Sequence, residues 1–226
     1  LETSHGFIPW DDQHHLSLSQ TNAEVDGRWL FANANNTPRV ARIDLKTFKT
    51  VEILELPNSA GNHSSPFLTE NTEYVVAGTR FAVPTDDANG DVPIDSFKEN
   101  FKGVLSFIGI DQQTGGMDLS FQIEAPGINF DLSHAGKKKS GDWFFFSCYN
   151  SEKANTLLEV NASQNDKDFI MAVNWKKAAE LVKAGKGRKV TTEYAHNKWD
   201  ESTHSATSTM KKEVVVLSVE DMKDAM

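Results

Sequence analysis

Seven histidines and one cysteine are the soft donor groups in this 226-residue chain: His5, His14, His15, His63, His134, His196, His204 and Cys148. One cysteine cannot make an internal disulfide, a four-cysteine zinc site or a two-thiolate copper pair. A transition-metal site here must therefore be built from imidazoles or carboxylates. His14 and His15 are adjacent, and neighbouring side chains on a strand point to opposite faces, so both can serve one site only where the chain bends. An isolated loop histidine is ordinarily a surface residue, and His5, His196 and His204 carry that reading. No His-Glu-x-x-His phrase or equivalent supports a zinc hydrolase.

The elements that must position these residues are mostly strands. Trp29–Ala34, Arg39–Leu45, Thr50–Leu56, Tyr74–Phe81, Gly103–Asp111, Asp118–Ile123, Trp143–Tyr149, Phe169–Trp175 and Glu213–Val219 are rich in Val, Ile, Phe and Trp and bounded by turn residues. Trp175–Lys186 reads instead as an amphipathic helix with Ala178, Leu181 and Val182 on its apolar face, stopped by Gly185 and Gly187. Lys189–Met210 has little pattern and reads as a long loop, and Val219–Met226 as an incipient helix. Ile43-Asp44-Leu45-Lys46-Thr47 recurs 67 residues later as Ile110-Asp111-Gln112-Gln113-Thr114, with a weaker third copy at Val173-Asn174-Trp175. Upstream of each copy a strand opens on an aromatic, at Trp29, Tyr74 and Trp143. A repeated four-strand unit of this length is the signature of a β-propeller blade, with stretches such as Pro84–Asn100 as insertions.

The repeat gives the histidines a common place. His15 lies 14 residues before Trp29, His63 lies 11 before Tyr74, and Asp131 lies 12 before Trp143, with His134 three residues after it. Innermost strands line the channel of a propeller, so equivalent positions ahead of the opening aromatics converge on its axis. Imidazoles gathered at one point repel when protonated, and a bound metal resolves this by using each as a neutral donor.

The composition excludes several classes. With 23 Lys plus Arg against 32 Asp plus Glu, the net charge of −9 supplies no basic stripe for phosphates, which argues against a nucleic-acid partner. The one basic run, Lys137-Lys138-Lys139, reads as a solvated loop. A hydrophobic share of 38% with 10% aromatics fits a globular chain of one large or two small domains rather than disorder. No apolar run approaches the roughly 18 residues a membrane span needs. No signal peptide is read at the start, and the opening at Leu1 reads as that of a mature or excised piece.

Asp12-Gln13-His14-His15, Asp26-Gly27-Arg28-Trp29-Leu30-Phe31-Ala32-Asn33, Arg39-Val40-Ala41-Arg42-Ile43 and Cys148-Tyr149-Asn150-Ser151-Glu152-Lys153-Ala154, in that order and spacing, resemble the start of the catalytic propeller of nitrous-oxide reductases. The resemblance runs from about Trp10 to about Trp175, and its Trp-Asp-Asp-Gln-His-His version looks closer to the group exported unfolded, through the Sec route, than to the twin-arginine group. It implies an all-β fold: a partial seven-bladed β-propeller, about three blades plus part of a fourth, with a short helical insertion. Residues 1–226 would be the N-terminal portion of that domain, and the family's cupredoxin domain, with its CuA centre, is absent from this chain.

The activity implied is reduction of nitrous oxide to dinitrogen and water at a four-copper sulfide cluster of the CuZ type, held by seven hub histidines. Carried over by motif, three of those ligands fall on His14, His15 and His63, with Asp12 and Asp131 as acids that accept hydrogen bonds from the cluster imidazoles and fix their tautomers. A calcium site falls on the Tyr149 backbone carbonyl, Glu152 and Asp168, hard oxygen donors of the kind calcium requires. The resemblance also implies a cytochrome c as electron donor, a head-to-tail homodimer and a periplasmic location. Leu16-Ser17 replaces the Pro-His that follows the paired histidines in the better-known enzymes. This fragment alone is expected to be inactive, and to be unstable in isolation, because a partial ring leaves open edges. The competing reading is a non-catalytic, calcium-stabilised propeller module for protein interactions, with structural histidines.

Overall fold

Short apolar runs separated by Asx-type turns fold most of the described residues into strands. The computed structural model describes residues 2–3, 6–7, 16–19, 27–33, 39–57, 67–69, 71–78, 83–84, 101–125, 128–134, 142–149, 169–198 and 209–223. After a two-stranded ladder, β1 (Glu2–Thr3) and β2 (Gly6–Phe7), comes a first antiparallel meander: β3 (Leu16–Leu18), β4 (Trp29–Asn33), β5 (Arg39–Asp44) and β6 (Lys49–Glu55). A second meander repeats it with β7 (Phe67–Leu68), β8 (Tyr74–Gly78), β10 (Phe101–Ile110) and β11 (Met117–Ala125), while β9 (Val83–Pro84) pairs with the start of β10. The third unit has β12 (Ile128–His134), β13 (Trp143–Tyr149) and β14 (Phe169–Asn174), then turns into the helix Trp175–Lys183. The hairpin β15 (Arg188–Lys198) and β16 (Thr209–Leu217) completes the set.

The phrase that marks the repeat has a local cause. Asp111 Oδ1 accepts hydrogen bonds from Gln113 N at 3.0 Å, Thr114 N at 2.7 Å and Thr114 Oγ1 at 2.9 Å, and Asp44 Oδ1 accepts from Lys46 N at 2.8 Å. Each aspartate thus builds the turn into the fourth strand. In the third unit the same chemistry starts a helix instead, because Asn174 Oδ1 caps it by accepting from Lys177 N at 3.0 Å. The opening aromatics share a second device. Trp29 N donates to Ser19 Oγ at 3.1 Å and Tyr74 N to Thr69 Oγ1 at 3.0 Å.

Alternation along these strands makes each sheet apolar on both sides, so the units stack face to face. Trp29, Phe31, Val40 and Leu54 of the first unit pack on Val75, Ala77, Ile108 and Leu119 of the second. The opposite face of the second unit, Val76, Leu105, Phe107 and Phe121, packs on Phe144, Phe146, Met171 and Val173 of the third. Phe107 and Phe121 stack at 4.6 Å, with Phe144 edge-on to Phe107 at 6.2 Å. The helix closes that core with buried Trp175, Ala178 and Ala179, while Leu181 and Val182 pack partly buried against it. It ends at Lys183, three residues before Lys186, with Ala184 as its C-cap, and Gly185 follows with φ +79°.

The strands read from the sequence are present within a few residues of their expected ends, and the long loop is not. Residues 189–198 belong to β15 and residues 209–210 open β16. β15 pairs first with β16, over Arg188–Ala195, and then changes partner, so that His196, Asn197 and Lys198 pair with β6. β16 in turn runs parallel to β11 through Phe121–Ile123. The hairpin thus ties the outer edges of the first two units into one eleven-stranded sheet. After β16 the chain turns at residues 218–223, where Ser218 and Asp221 cap each other: Asp221 Oδ2 accepts from Ser218 N at 2.9 Å and Ser218 Oγ from Asp221 N at 3.1 Å. Lys137–Lys139 and residues 85–100 lie outside the described residues.

Where the second unit meets the first, Gly115 lies against the Trp29 ring at φ +73°. A Cβ there would sit 2.2 Å from Trp29 Nε1. Gly115→Ala is therefore expected to destabilise by about 2–4 kcal/mol, combining left-handed strain with overpacking. Gly185→Ala, at φ +79° with open space around it, should cost only about 1 kcal/mol. Guanidinium denaturation of the two variants separates the terms.

Candidate functional site

The residues expected to hold a metal adjoin, in sequence, the first strands of the units. β3 and β7 are the two ends of the hydrogen-bonded order of the eleven-stranded sheet, yet they lie against each other, and β12 lies against β7 and β8. The first strands of all three units are therefore neighbours at one side of the stack. In sequence, His14 and His15 come immediately before β3, and His63 comes shortly before β7. Those three histidines and Asp12 are outside the described residues. Asp131 lies on β12, in the bulge between the Asn129 and Leu132 pairings to β13. Of the residues expected to hold calcium, Tyr149 ends β13 opposite Ile128, and Glu152 and Asp168 are outside the described residues. Among the described residues no three His, Cys, Asp or Glu side chains are grouped so as to hold a metal ion.

A second polar centre was not foreseen. Glu52, on β6 and only 2% exposed, shares its face with Leu54 and would be an isolated buried charge without partners. It has three. Arg42 Nε donates to Oε2 at 2.8 Å, His196 Nε2 meets Oε1 at 2.6 Å, and the Met117 backbone N–H bonds both oxygens at 3.1 Å. Burial pushes the Glu52 pKa up, but the His196 hydrogen bond, the Arg42 charge and bond, and the Met117 N–H outweigh it and hold it below its ordinary value. An ionised carboxylate only accepts, so His196 carries its proton on Nε2.

This overturns the surface reading of His196, whose side chain is 13% exposed and bound across 144 residues of sequence. The available signals were parity ones: Glu52 shares its side of β6 with Leu54, and Arg42 shares its side of β5 with Val40. No local motif links either to His196.

Arg42 also reaches the next unit, donating from a terminal nitrogen to the Thr114 carbonyl at 3.1 Å. Its guanidinium lies over the Trp29 ring at 4.1 Å, with Arg28 at 4.4 Å from the same ring. The cluster thus joins β5, β6, β11 and β15 where two units and the hairpin meet.

An open cleft of about 590 Å³ faces it, lined by Glu52, His196, Glu73, Tyr74, Asp111 and Asp118 among others. Its carboxylates are engaged by the fold itself. Asp111 builds its turn, Glu73 accepts from Thr69 Oγ1 at 2.6 Å and Asn71 N at 3.0 Å, and Asp118 pairs with Lys212 of β16 at 2.5 Å. The chemistry of this centre is structural, a charged peg between strands.

By fold the chain is a stack of repeated antiparallel sheets with their first strands gathered together. By sequence it is a relative of the nitrous-oxide reductases. It is 32% identical over 176 residues to the nitrous-oxide reductase of Pseudomonas fluorescens and 30% identical over 175 residues to that of Stutzerimonas stutzeri, in each case covering 77% of this chain. The enzyme of Cupriavidus necator matches at 27% over 186 residues. The chain spans about a quarter, 26%, of the length of these curated relatives. No family model matches it. Among solved structures it overlaps a dihydro-heme d1 dehydrogenase in complex with DHE (TM-score 0.38, 15% identity, 90% of this chain and 38% of the other). It also overlaps the tricorn protease (TM-score 0.39, 9% identity, 89% of this chain and 22% of the other). Overlaps this shallow carry no argument about architecture.

Glu52 gives a pH prediction. Its pKa is lowered on folding, so its stabilising effect is complete above the ordinary carboxylate range near 4.5 and is lost as pH falls through the lower folded value. Glu52→Gln should cost about 3 kcal/mol at pH 7, leaving Arg42 without its counter-charge, and should flatten the acid limb of the stability curve. Urea titrations from pH 3 to pH 7 measure both. By contrast, the Tyr194 hydroxyl is buried with no partner among the described residues, and burial and Asp118 push its pKa up to about 12. Tyr194→Phe should be neutral or stabilising by up to about 1 kcal/mol in the same titration.

Proposed function

We propose that this chain is the N-terminal portion of the catalytic β-propeller of a copper-dependent nitrous-oxide reductase. The observation that carries the reading is the gathering of β3, β7 and β12, the first strands of three stacked units, on one side of the structure. The residues expected at the hub, His14, His15, His63 and Asp131, attach in sequence to just those strands. The relatedness to nitrous-oxide reductases supports it independently. In this reading the units are blades, about three and part of a fourth of seven, and the β15–β16 hairpin belongs to the partial one.

The donor set fits copper: neutral imidazoles are borderline donors suited to it, and one cysteine leaves no thiolate pair to compete. Copper held at the hub, as a four-copper sulfide cluster completed by histidines outside this chain, would pass on the two electrons from a donor that, with two protons, convert nitrous oxide to dinitrogen and water. The chain's own part is to orient. Three imidazoles set from two blades, His14 and His15 from the first and His63 from the second, would present their nitrogens inward as neutral donors. Asp12 and Asp131 would accept a hydrogen bond from the ring N–H of a ligating histidine, which fixes its tautomer and raises its basicity.

Calcium would bind the Tyr149 carbonyl, Glu152 and Asp168. Cys148 pairs with Phe169 in the β13–β14 ladder, and these are the sequence neighbours of Tyr149 and Asp168. The remaining parts of the proposal follow the relatives: a cytochrome c-type electron donor, a head-to-tail homodimer whose CuA domain lies outside this chain, and a periplasmic location. No helix among the described residues is long and apolar enough to cross a membrane.

The test uses the full-length protein matured with copper. His63→Ala should lower bound copper and abolish nitrous-oxide reduction while leaving the melting transition cooperative. Asp131→Asn should retain copper but slow turnover roughly 10- to 100-fold. Wild-type protein that binds no copper, or His63→Ala protein with unchanged copper and turnover, contradicts the proposal and favours an interaction module.

A further inference from the structure

The first and second units meet around a filled middle, with a polar lock on one side and the gathered first strands on the other. Trp29, Phe31, Val40 and Leu54 against Val75, Ala77, Ile108 and Leu119 make the middle. On the outer side, hydrogen bonds cross from unit to unit. Glu52 of β6 accepts from the Met117 N–H of β11, and Arg42 of β5 donates to the Thr114 carbonyl in the turn before β11. Gln122 of β11 donates through Nε2 to the Pro57 carbonyl, just after β6, at 2.7 Å. On the inner side β3 lies against β7.

The lock has a local cause. β11 starts at Met117 but pairs with β16 only over Phe121–Ile123. The Met117 N–H lies ahead of that ladder, and a side chain of the neighbouring unit supplies its acceptor. His196 completes the arrangement. It is the first residue of β15 to pair with β6 rather than β16, opposite Leu54, and its ring meets Glu52 Oε1 at 2.6 Å. The buried Glu52 carboxylate has no water to turn to, so its position is tied to these partners.

The two sides are coupled through the middle. Four strands at about 4.8 Å set β6 roughly 14 Å from β3 within the first unit. A close-packed core transmits a tilt rather than absorbing it. Splaying β6 from β11 therefore tilts β3 relative to β7 about that core by a comparable distance. Three of the residues expected to hold copper adjoin these two strands in sequence, His14 and His15 before β3 and His63 before β7. Metal–donor distances hold within roughly 0.2 Å, whereas apolar side chains accept other packings of similar energy.

We infer that Glu52 and His196 are positioning residues for the copper ligands: bonded across the outer junction, they set the separation of β3 and β7 and thereby the spacing of the imidazoles that adjoin those strands. The inference rests on the proposed copper hub. Their action runs through the packed core between the two units and not through contact with the metal.

The test uses the full-length protein matured with copper, with each variant held at a temperature where it is folded. Glu52→Gln keeps the size of the side chain but replaces one accepting oxygen by a donor, and His196→Leu removes the bond to Oε1. Both should lose copper to a chelator roughly 3- to 30-fold faster than wild type. Copper K-edge fine structure of the same two variants should show a wider spread of copper–nitrogen distances. His196→Gln, which again offers an N–H donor to Glu52, should restore both readings. Met222→Ala controls for lost stability, because it empties a fully buried place in the core on the other side of the second unit. It should retain copper as wild type does. Glu52→Gln and His196→Leu proteins that hold copper like wild type overturn the inference, and so does a Met222→Ala protein that loses copper as fast as they do. Wild-type protein that binds no copper overturns the reductase reading and this inference together. Copper-loaded wild type with indifferent Glu52 and His196 variants overturns this inference alone.

Discussion

Among the described residues, the sheets of the three stacked units are apolar on both faces, and that constraint governs the rest. A sheet of this kind is stable only between two neighbours. Phe107 and Phe121 of the second unit, for example, are 0% and 1% exposed only because the third unit covers them with Phe144 and Phe146. Stacking such sheets face to face, each rotated by its twist, brings their first strands together and spreads their last strands apart. The gathering of β3, β7 and β12 at one side, and the wedge of β15–β16 between β6 and β11 at the other, are the two consequences.

Apolar contact alone does not fix the register between units. Polar pegs do that. Glu52 ties β6 to the start of β11 and the end of β15, and Arg42 spans from Glu52 to the Thr114 carbonyl while covering Trp29. Asp118 holds the other strand of the hairpin through Lys212, and Glu124 holds Arg188 at 2.7 Å. The buried members of this set act as specifiers: a one-residue slip of β6 would strand a carboxylate in the core. This precision at the rim bears on function because the first strands, which the expected ligands adjoin in sequence, inherit their spacing from how the units are locked.

Much of this was legible in the sequence where the cause is local. The Ile-Asp-x-x-Thr phrase marks turns because the aspartate makes its bonds within three residues, so the repeat, its strands and the helix at Trp175 could be read directly. β15 could not. Its inward residues, Val190, Thr192 and Tyr194, are weakly apolar and its outward ones, Lys189, Thr191 and Glu193, polar or charged, and it becomes a strand because β16 and then β6 offer it edges. His196 was misread for the same reason: its partner is 144 residues away. The residues expected to hold copper were indicated by their place in the repeat and by resemblance in motif, and those expected to hold calcium by resemblance alone. Asp131 and Tyr149 were found on strands, and the remaining expected ligands lie outside the described residues.

The account stands or falls on where copper sits relative to the first strands. Anomalous diffraction at the copper edge, from crystals of the full-length copper-loaded protein, measures that directly. The account predicts anomalous density on the axis where β3, β7 and β12 gather, in contact with the imidazoles of His14, His15 and His63 and with Asp131 behind them. Copper bound elsewhere, or these three histidines scattered over the surface, would contradict it.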